Sequence, residues 1–206
     1  MIRLYDYWRS SASYRVRIAL GLAGLEWESV EVNLLAQDQR GADHLARNPQ
    51  GLVPVLEIDG HRMTQSLAII EYLNETRGLG LLPEEPVEEA KVRALSYAIA
   101  MEIHPICNLG VAKFAVERTD AITLPDWMQH FIGNGLAAFE AMLEGGDFCY
   151  WSGVTLADVC LLPQLYNARR WNVDLEAMPK IRAIEAHLTP IPAFAAAHPD
   201  LTPHEQ

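Results

Sequence analysis

The chain has 206 residues, half of them hydrophobic, with a formal net charge of −11. That length allows one large domain or two small ones with a sizeable core, and no apolar run approaches the roughly 20 residues of a membrane span. The acidic balance argues against nucleic acid, whose phosphates need a basic surface, so any anionic ligand must be held by local positive groups.

The N-terminus lacks a charged-then-apolar leader, so no export signal is expected. Three cysteines, Cys107, Cys149 and Cys160, form no CxxC pair. They predict neither a disulfide framework nor a zinc site, and a reducing cytoplasm is the expected compartment. The histidines are scattered without ligand spacing, so no metal is expected.

In chain order, "MIRLYDY" alternates and is rich in β-formers, which predicts a strand. After "WRSSAS", Val16, Ala19, Leu20 and Ala23 follow helical spacing, with Gly24 as a stop. "WESVEVN" reads as a second strand with Val30 and Val32 on one face. A short helical stretch around 38–46 follows. "VPVLEI" and "HRMT" are split by Asp59-Gly60, a two-residue hairpin signal. "SLAIIEYLNETRG" is a helix with Ser66 as its cap and Gly78 just past its end. Strand, helix, strand, helix, hairpin, helix in about 80 residues fits a thioredoxin-type α/β sandwich over 1–79. "GLGLLPEEP" reads as a linker. The rest is helical in pattern: 87–118 (interrupted at Pro105), 123–143, 155–171, 177–188 and a short helix in the tail. An all-helical second domain over 87–206 is expected.

Two places carry chemistry. Val53-Pro54 heads a strand, where proline cannot donate to a ladder; it is either an edge proline or a cis bond exposing the valine backbone to an extended ligand. Ser66 is either a simple cap or, with Gln65 and the helix N-terminus, a carboxylate site. "WRSSASYRVRIAL" is the least ordinary stretch. Caps account for the serines, but Arg9 and Arg15 oppose the helix dipole unless an anion is bound there. A serine hydroxyl donating to a sulfur would favour thiolate over thiol.

"SSASYRVRIAL" resembles the SSCxWRVRIAL signature of zeta-class glutathione transferases, the family that includes maleylacetoacetate isomerase. "NPQGLVPVLEIDG", "QSLAIIEYLNETRG", "LLPEEP" and "ADVCLLPQLYNARRWNVDL" resemble the same family in register, so the similarity runs through most of the chain. The resemblance implies the glutathione transferase fold, glutathione as cofactor and a homodimer. By position, Ser10 would donate to the glutathione sulfur with Ser11 assisting, and Arg15 stands beside them. Val53 and a cis-Pro54 would pair with the cysteinyl backbone. Gln65 and Ser66 would take the γ-glutamyl end, and Gln39 the glycyl end. His104 and Asn108 would close the site. Arg9 and Arg170 would hold the carboxylate of a small acidic substrate, with Arg169 as the alternative to Arg170. Whether Ser10 or Ser11 faces the sulfur stays open. Thr155 and Asp158 resemble the family's capping box, a folding element.

Ala12 replaces the family's cysteine, which puts in doubt any chemistry needing a protein thiol, and Tyr14 replaces its tryptophan. "HPICNLG" keeps the opening histidine of the "HPINN" stretch of maleylpyruvate isomerases but lacks the two arginines that follow it. Isomerisation of maleylacetoacetate in tyrosine or aromatic breakdown is therefore the expected activity. Maleylpyruvate isomerisation, transfer to or dehalogenation of small α-halo acids, and a non-catalytic interaction module are the alternatives.

Overall fold

Four short strands set the frame of the first unit: β1 (Arg3–Asp6), β2 (Glu28–Glu31), β3 (Val55–Ile58) and β4 (His61–Thr64) form one sheet in the order β2-β1-β3-β4. The computed structural model describes residues 1–202. β1 and β2 run parallel, joined by helix α1 (Ser11–Leu22), while β3 is antiparallel to both β1 and β4. This is the expected βαβ unit followed by a hairpin. Asp59 and Gly60 both take positive φ, 54° and 79°. That pair of left-handed residues matches the twist of a two-residue hairpin.

Side-chain alternation divides the sheet. Leu4, Leu56 and Ile58 are buried on one face, with α1 and α3 (Ser66–Arg77) packed together. Tyr5, Val32 and Val55 form a small cluster on the other, joined by Val30 and Val53. A 3₁₀ turn (Asp38–Arg40) and α2 (Ala42–Arg47) connect β2 to β3. α3 ends at Gly78 with φ 64°, as its sequence predicts. Its start differs: Gln65 is the cap, and Ser66 is the first helical residue.

The second unit, Gly80–Pro190, is helical. α4 (Pro86–Tyr97) runs into a π-helical segment, Ala98–Ile103, and α5 (Leu109–Val116) begins after Pro105. The expected interruption is thus a change of helical winding that ends in a proline turn. α6 (Leu124–Met142), α7 (Leu156–Arg170) and α8 (Pro179–Leu188) complete the unit. A Cβ on Gly135 of α6 would stand 2.4 Å from Ile103 Cγ1. The glycine costs helix propensity and permits this close approach to the π segment.

The C-terminal boundary differs from expectation. α9 (Pro192–Ala196) and the described residues after it, through Thr202, cluster with the first unit. Ala193 packs on Gly21 of α1, and the Tyr14 hydroxyl donates to the Phe194 carbonyl at 3.4 Å. Gly21 leaves room for the approach, a contact between residues far apart in sequence that no local pattern announces.

Candidate active site

Sheet direction gathers the expected residues of the first unit. Tyr5 pairs with Val55, and Val55 with Thr64. The end of β1 leads to Ser10, the start of β3 follows Val53-Pro54, and the end of β4 leads to Gln65 and Ser66. All three segments therefore emerge at one end of the sheet. β2, parallel to β1, delivers Gln39 from the same end.

The Ser10 amide donates to the Tyr7 carbonyl at 2.9 Å, turning the chain from β1 into α1. Ser10 is the helix cap, its Oγ accepting from the Ser13 amide at 3.2 Å. Capping uses a lone pair, which leaves the hydroxyl proton to donate outward. Ser11, the first helical residue, is buried. No acidic residue stands in the first turn, so the positive end of the helix dipole meets no carboxylate of its own.

The two flanking arginines differ. Arg9 is half-buried; its Nε is buried and has no hydrogen-bond partner among the described residues. Arg15 is not at the exposed helix end where the dipole argument put it. It is 2% exposed, and its Nη1 donates to Ser66 Oγ at 3.4 Å, linking α1 to the start of α3. A long side chain five residues into the helix reaches inward across the α1–α3 contact.

The Val53–Pro54 bond is cis, just beyond the last β1–β3 pair. The loop before it is fixed by residues that sequence reasoning passed over. Asn48 Nδ2 donates to the Leu52 carbonyl at 2.8 Å, and Asn48 Oδ1 accepts from the Gln50 amide at 3.1 Å. His44 Nε2 meets the same Leu52 carbonyl at 3.0 Å. Gln65 Nε2 donates to Gln50 Oε1 at 2.8 Å, tying this loop to the start of α3. Gln39 Oε1 is buried without a hydrogen-bond partner among the described residues.

The other expected residues lie in the helical unit. His104 ends the π segment. Asn108 caps α5, its Oδ1 accepting from the Gly110 amide at 3.0 Å, so its acceptor already has a structural use. Arg169 donates through Nε to Glu185 Oε1 at 2.8 Å. The Arg170 guanidinium lies 5.1 Å from the Trp171 ring centre. Of the pair, Arg169 is the one committed to an ion pair with Glu185.

Cys149 is buried, and burial first, then the Asp158 charge, push its thiol well above the ordinary value. Burial pushes Cys107 up to about 11. Among the described residues no cluster of three His, Cys, Asp or Glu could hold a metal, and no helix is long and apolar enough to cross a membrane. A cleft of about 390 Å³ lies on the α2 side of the sheet, lined by Tyr5, Asp38, His44 and Arg47. None of the expected residues lines it.

Residues 1–75 match the family model for the glutathione S-transferase N-terminal domain. Maleylacetoacetate isomerase of Rhizobium meliloti is 62% identical over 96% of this chain and 95% of its own. Among solved structures, a holo maleylpyruvate isomerase described as a bacterial zeta-class glutathione S-transferase superposes with a TM-score of 0.94 at 36% identity, covering 99% of this chain and 100% of that one. Maleylacetoacetate isomerase from Methylobacterium extorquens, with bound malonate and glutathione, gives 0.92 at 38% identity, covering 98% of each. With that identity sustained over nearly its whole length, the chain belongs to the maleylacetoacetate isomerase family, among the zeta-class glutathione transferases.

Proposed function

We propose that this protein is a glutathione-dependent cis–trans isomerase of maleylacetoacetate, yielding fumarylacetoacetate in tyrosine or aromatic-acid breakdown. The observation that carries the reading is the start of α1. A capping serine with a proton to give stands at a helix N-terminus without a first-turn acid, and Arg9 is beside it. The residues fit glutathione: the open start of α1 can face its sulfur, Ser66 and Gln65 open α3, and Val53 precedes β3 at the same end of the sheet. Glutathione, when bound, supplies a sulfur nucleophile whose reversible addition to the electron-poor double bond allows rotation, and it is returned unchanged.

The chain's own residues have separable tasks. The Ser10 hydroxyl donates to the sulfur and favours its ionised form, aided by the helix dipole. Ser11 adds to the polar helix start. Gln65 and Ser66, with Arg15 behind Ser66, take the γ-glutamyl end, Val53 the cysteinyl backbone and Gln39 the glycyl end. Arg9 holds the substrate carboxylate, because a guanidinium fork matches a carboxylate in bidentate fashion; in the helical unit Arg170 is the candidate for the same chemistry. In the helical unit, His104 and Asn108 are the candidate polar residues. Ala12 leaves this scheme intact, since it asks nothing of a protein thiol. We read the enzyme as a cytoplasmic homodimer; the three free, buried cysteines support a reducing compartment.

The likeness to a maleylpyruvate isomerase makes maleylpyruvate the second substrate to test, although Leu109 and Gly110 stand where arginines follow the family's histidine. The test is an absorbance assay with maleylacetoacetate, with and without glutathione. Conversion that requires glutathione and leaves its concentration unchanged supports the reading. Net glutathione consumption would point to transfer or dehalogenation, and absence of glutathione binding would overturn the enzyme reading.

A further inference from the structure

Arg17 makes three hydrogen bonds near the site, although no functional motif claims it. It is 2% exposed on α1. Its Nη1 donates to Asp6 Oδ2 at 2.8 Å, Nη2 to the Trp8 carbonyl at 2.9 Å, and Nε to the Ala197 carbonyl at 3.2 Å. Asp6 is buried too, and its second oxygen accepts from Ser29 Oγ at 2.8 Å. One guanidinium fork thus joins β1, the turn before α1 and the returning C-terminal segment. A buried pair broken on one side leaves an uncompensated charge, so this arrangement resists rearrangement. The Trp8 backbone is accordingly held in place.

The Trp8 side chain carries something in turn. The Arg9 guanidinium carbon lies 4.3 Å from the Trp8 ring centre, within the range of a cation held by the ring's negative face. Arg9 Nε is buried without a hydrogen-bond partner among the described residues. The indole face is thus a contact the structure gives this guanidinium. Stacking restricts a long, rotamer-rich side chain before any ligand arrives, which lowers the ordering cost of binding.

We propose that Trp8 is a positioning residue. With its carbonyl pinned by Arg17, its indole presents the Arg9 guanidinium, already oriented, to the carboxylate of the acidic substrate. This rests on the reading of Arg9 as a carboxylate-binding residue. It makes Trp8 a determinant of affinity for the acid and leaves glutathione affinity alone.

The experiment measures KM for maleylacetoacetate at saturating glutathione, and KM for glutathione at saturating maleylacetoacetate, in Trp8→Leu, Trp8→Phe, Arg9→Gln and Trp8→Leu/Arg9→Gln. Every substitution at Trp8 keeps the carbonyl that Arg17 holds, so the ring alone is tested. Trp8→Leu is expected to raise KM for the acid by roughly three- to tenfold, and to move KM for glutathione less than about twofold, because groups without shared partners act independently. Trp8→Phe should recover most of the loss, and it serves alone if the leucine variant does not fold. In the Arg9→Gln background, removing the ring should add almost nothing, because the ring acts through Arg9. Equal rises in both KM values, no rise for the acid, or full additivity would overturn the proposal while leaving the isomerase reading in place. If Arg9→Gln itself leaves KM for the acid unchanged, the Arg9 reading fails instead.

Discussion

Two helix starts in this molecule use the same kind of cap for opposite ends. At α7, Thr155 and Asp158 form a reciprocal capping box, in which Asp158 Oδ2 accepts from the Thr155 amide at 2.8 Å and from its hydroxyl at 2.7 Å. The other oxygen accepts from the Cys149 amide at 2.8 Å. At α1, Ser10 caps the Ser13 amide in the same way, but the position that would hold the acid is Ser13 itself. α7 answers its positive end with its own carboxylate, whereas α1 has no acid in its first turn. A capping serine therefore says little alone; the residue three places on decides whether the helix start is closed or open.

Removing the closed box should give the largest effect. Asp158→Ala strands a buried hydroxyl and two buried amides, and unmet buried donors cost on the order of 3 kcal/mol together. A fall of that size in unfolding free energy is expected by urea titration, with glutathione-dependent turnover per folded molecule retained. Ser10→Ala should do the reverse. Loss of the cap alone costs about 1 kcal/mol, whereas turnover should fall roughly 100-fold, as when one preorganised donor to a developing charge is removed. The ultraviolet absorbance of the bound thiolate, titrated against pH, locates the cause. An unchanged titration midpoint would remove Ser10 from the sulfur and give that task to Ser11.

The contrast also explains what the sequence made legible. The Thr155–Asp158 box, the Asp59-Gly60 hairpin and the Gly78 stop are local patterns, each governed by residues a few places apart, and each stands where its spacing predicts. The second box, Thr123–Asp126, is equally local, a threonine followed three places on by an aspartate. Other features have no local signature. Arg17 meets Ala197 and Tyr14 meets Phe194, each pair 180 residues apart. Arg15 fits a helix-end cation by spacing, yet the α1–α3 contact buries it against Ser66. Periodicity places a residue on a helix face, but only packing decides which element that face meets. The start of α1 was recognisable as unusual, while the scaffold that holds it was not.

If the missing acid keeps the start of α1 open, supplying one should close it. Ser13 is fully buried, and its hydroxyl has no hydrogen-bond partner among the described residues. Ser13→Asp places a carboxylate where Asp158 stands relative to Thr155, and should weaken glutathione binding on the order of tenfold by repelling an anion there. Ser13→Asn, similar in shape and uncharged, should weaken it much less. Calorimetric titration of glutathione into both variants is the measurement; equal losses would show that the effect is steric and that the open dipole contributes nothing.

The smallest effect tests the closed box where solvent reaches it. At the start of α6, Asp126 accepts from the Thr123 hydroxyl, with the Thr123 amide also donating at 2.9 Å. These bonds, the hydroxyl's first, hold its carboxyl below the ordinary 3.8. Burial dominates at Asp158 and raises its carboxyl instead, so one motif titrates in opposite directions according to its depth. For Asp126 the folded value lies below the unfolded one, so its contribution to stability is present above 3.8 and disappears as pH falls through the folded value. The urea midpoint of Asp126→Asn should therefore fall slightly short of the parent's near neutrality and converge with it in acid. A gap that persists after the carboxylate is protonated would mean that the shape of the side chain, and not its charge, closes this helix.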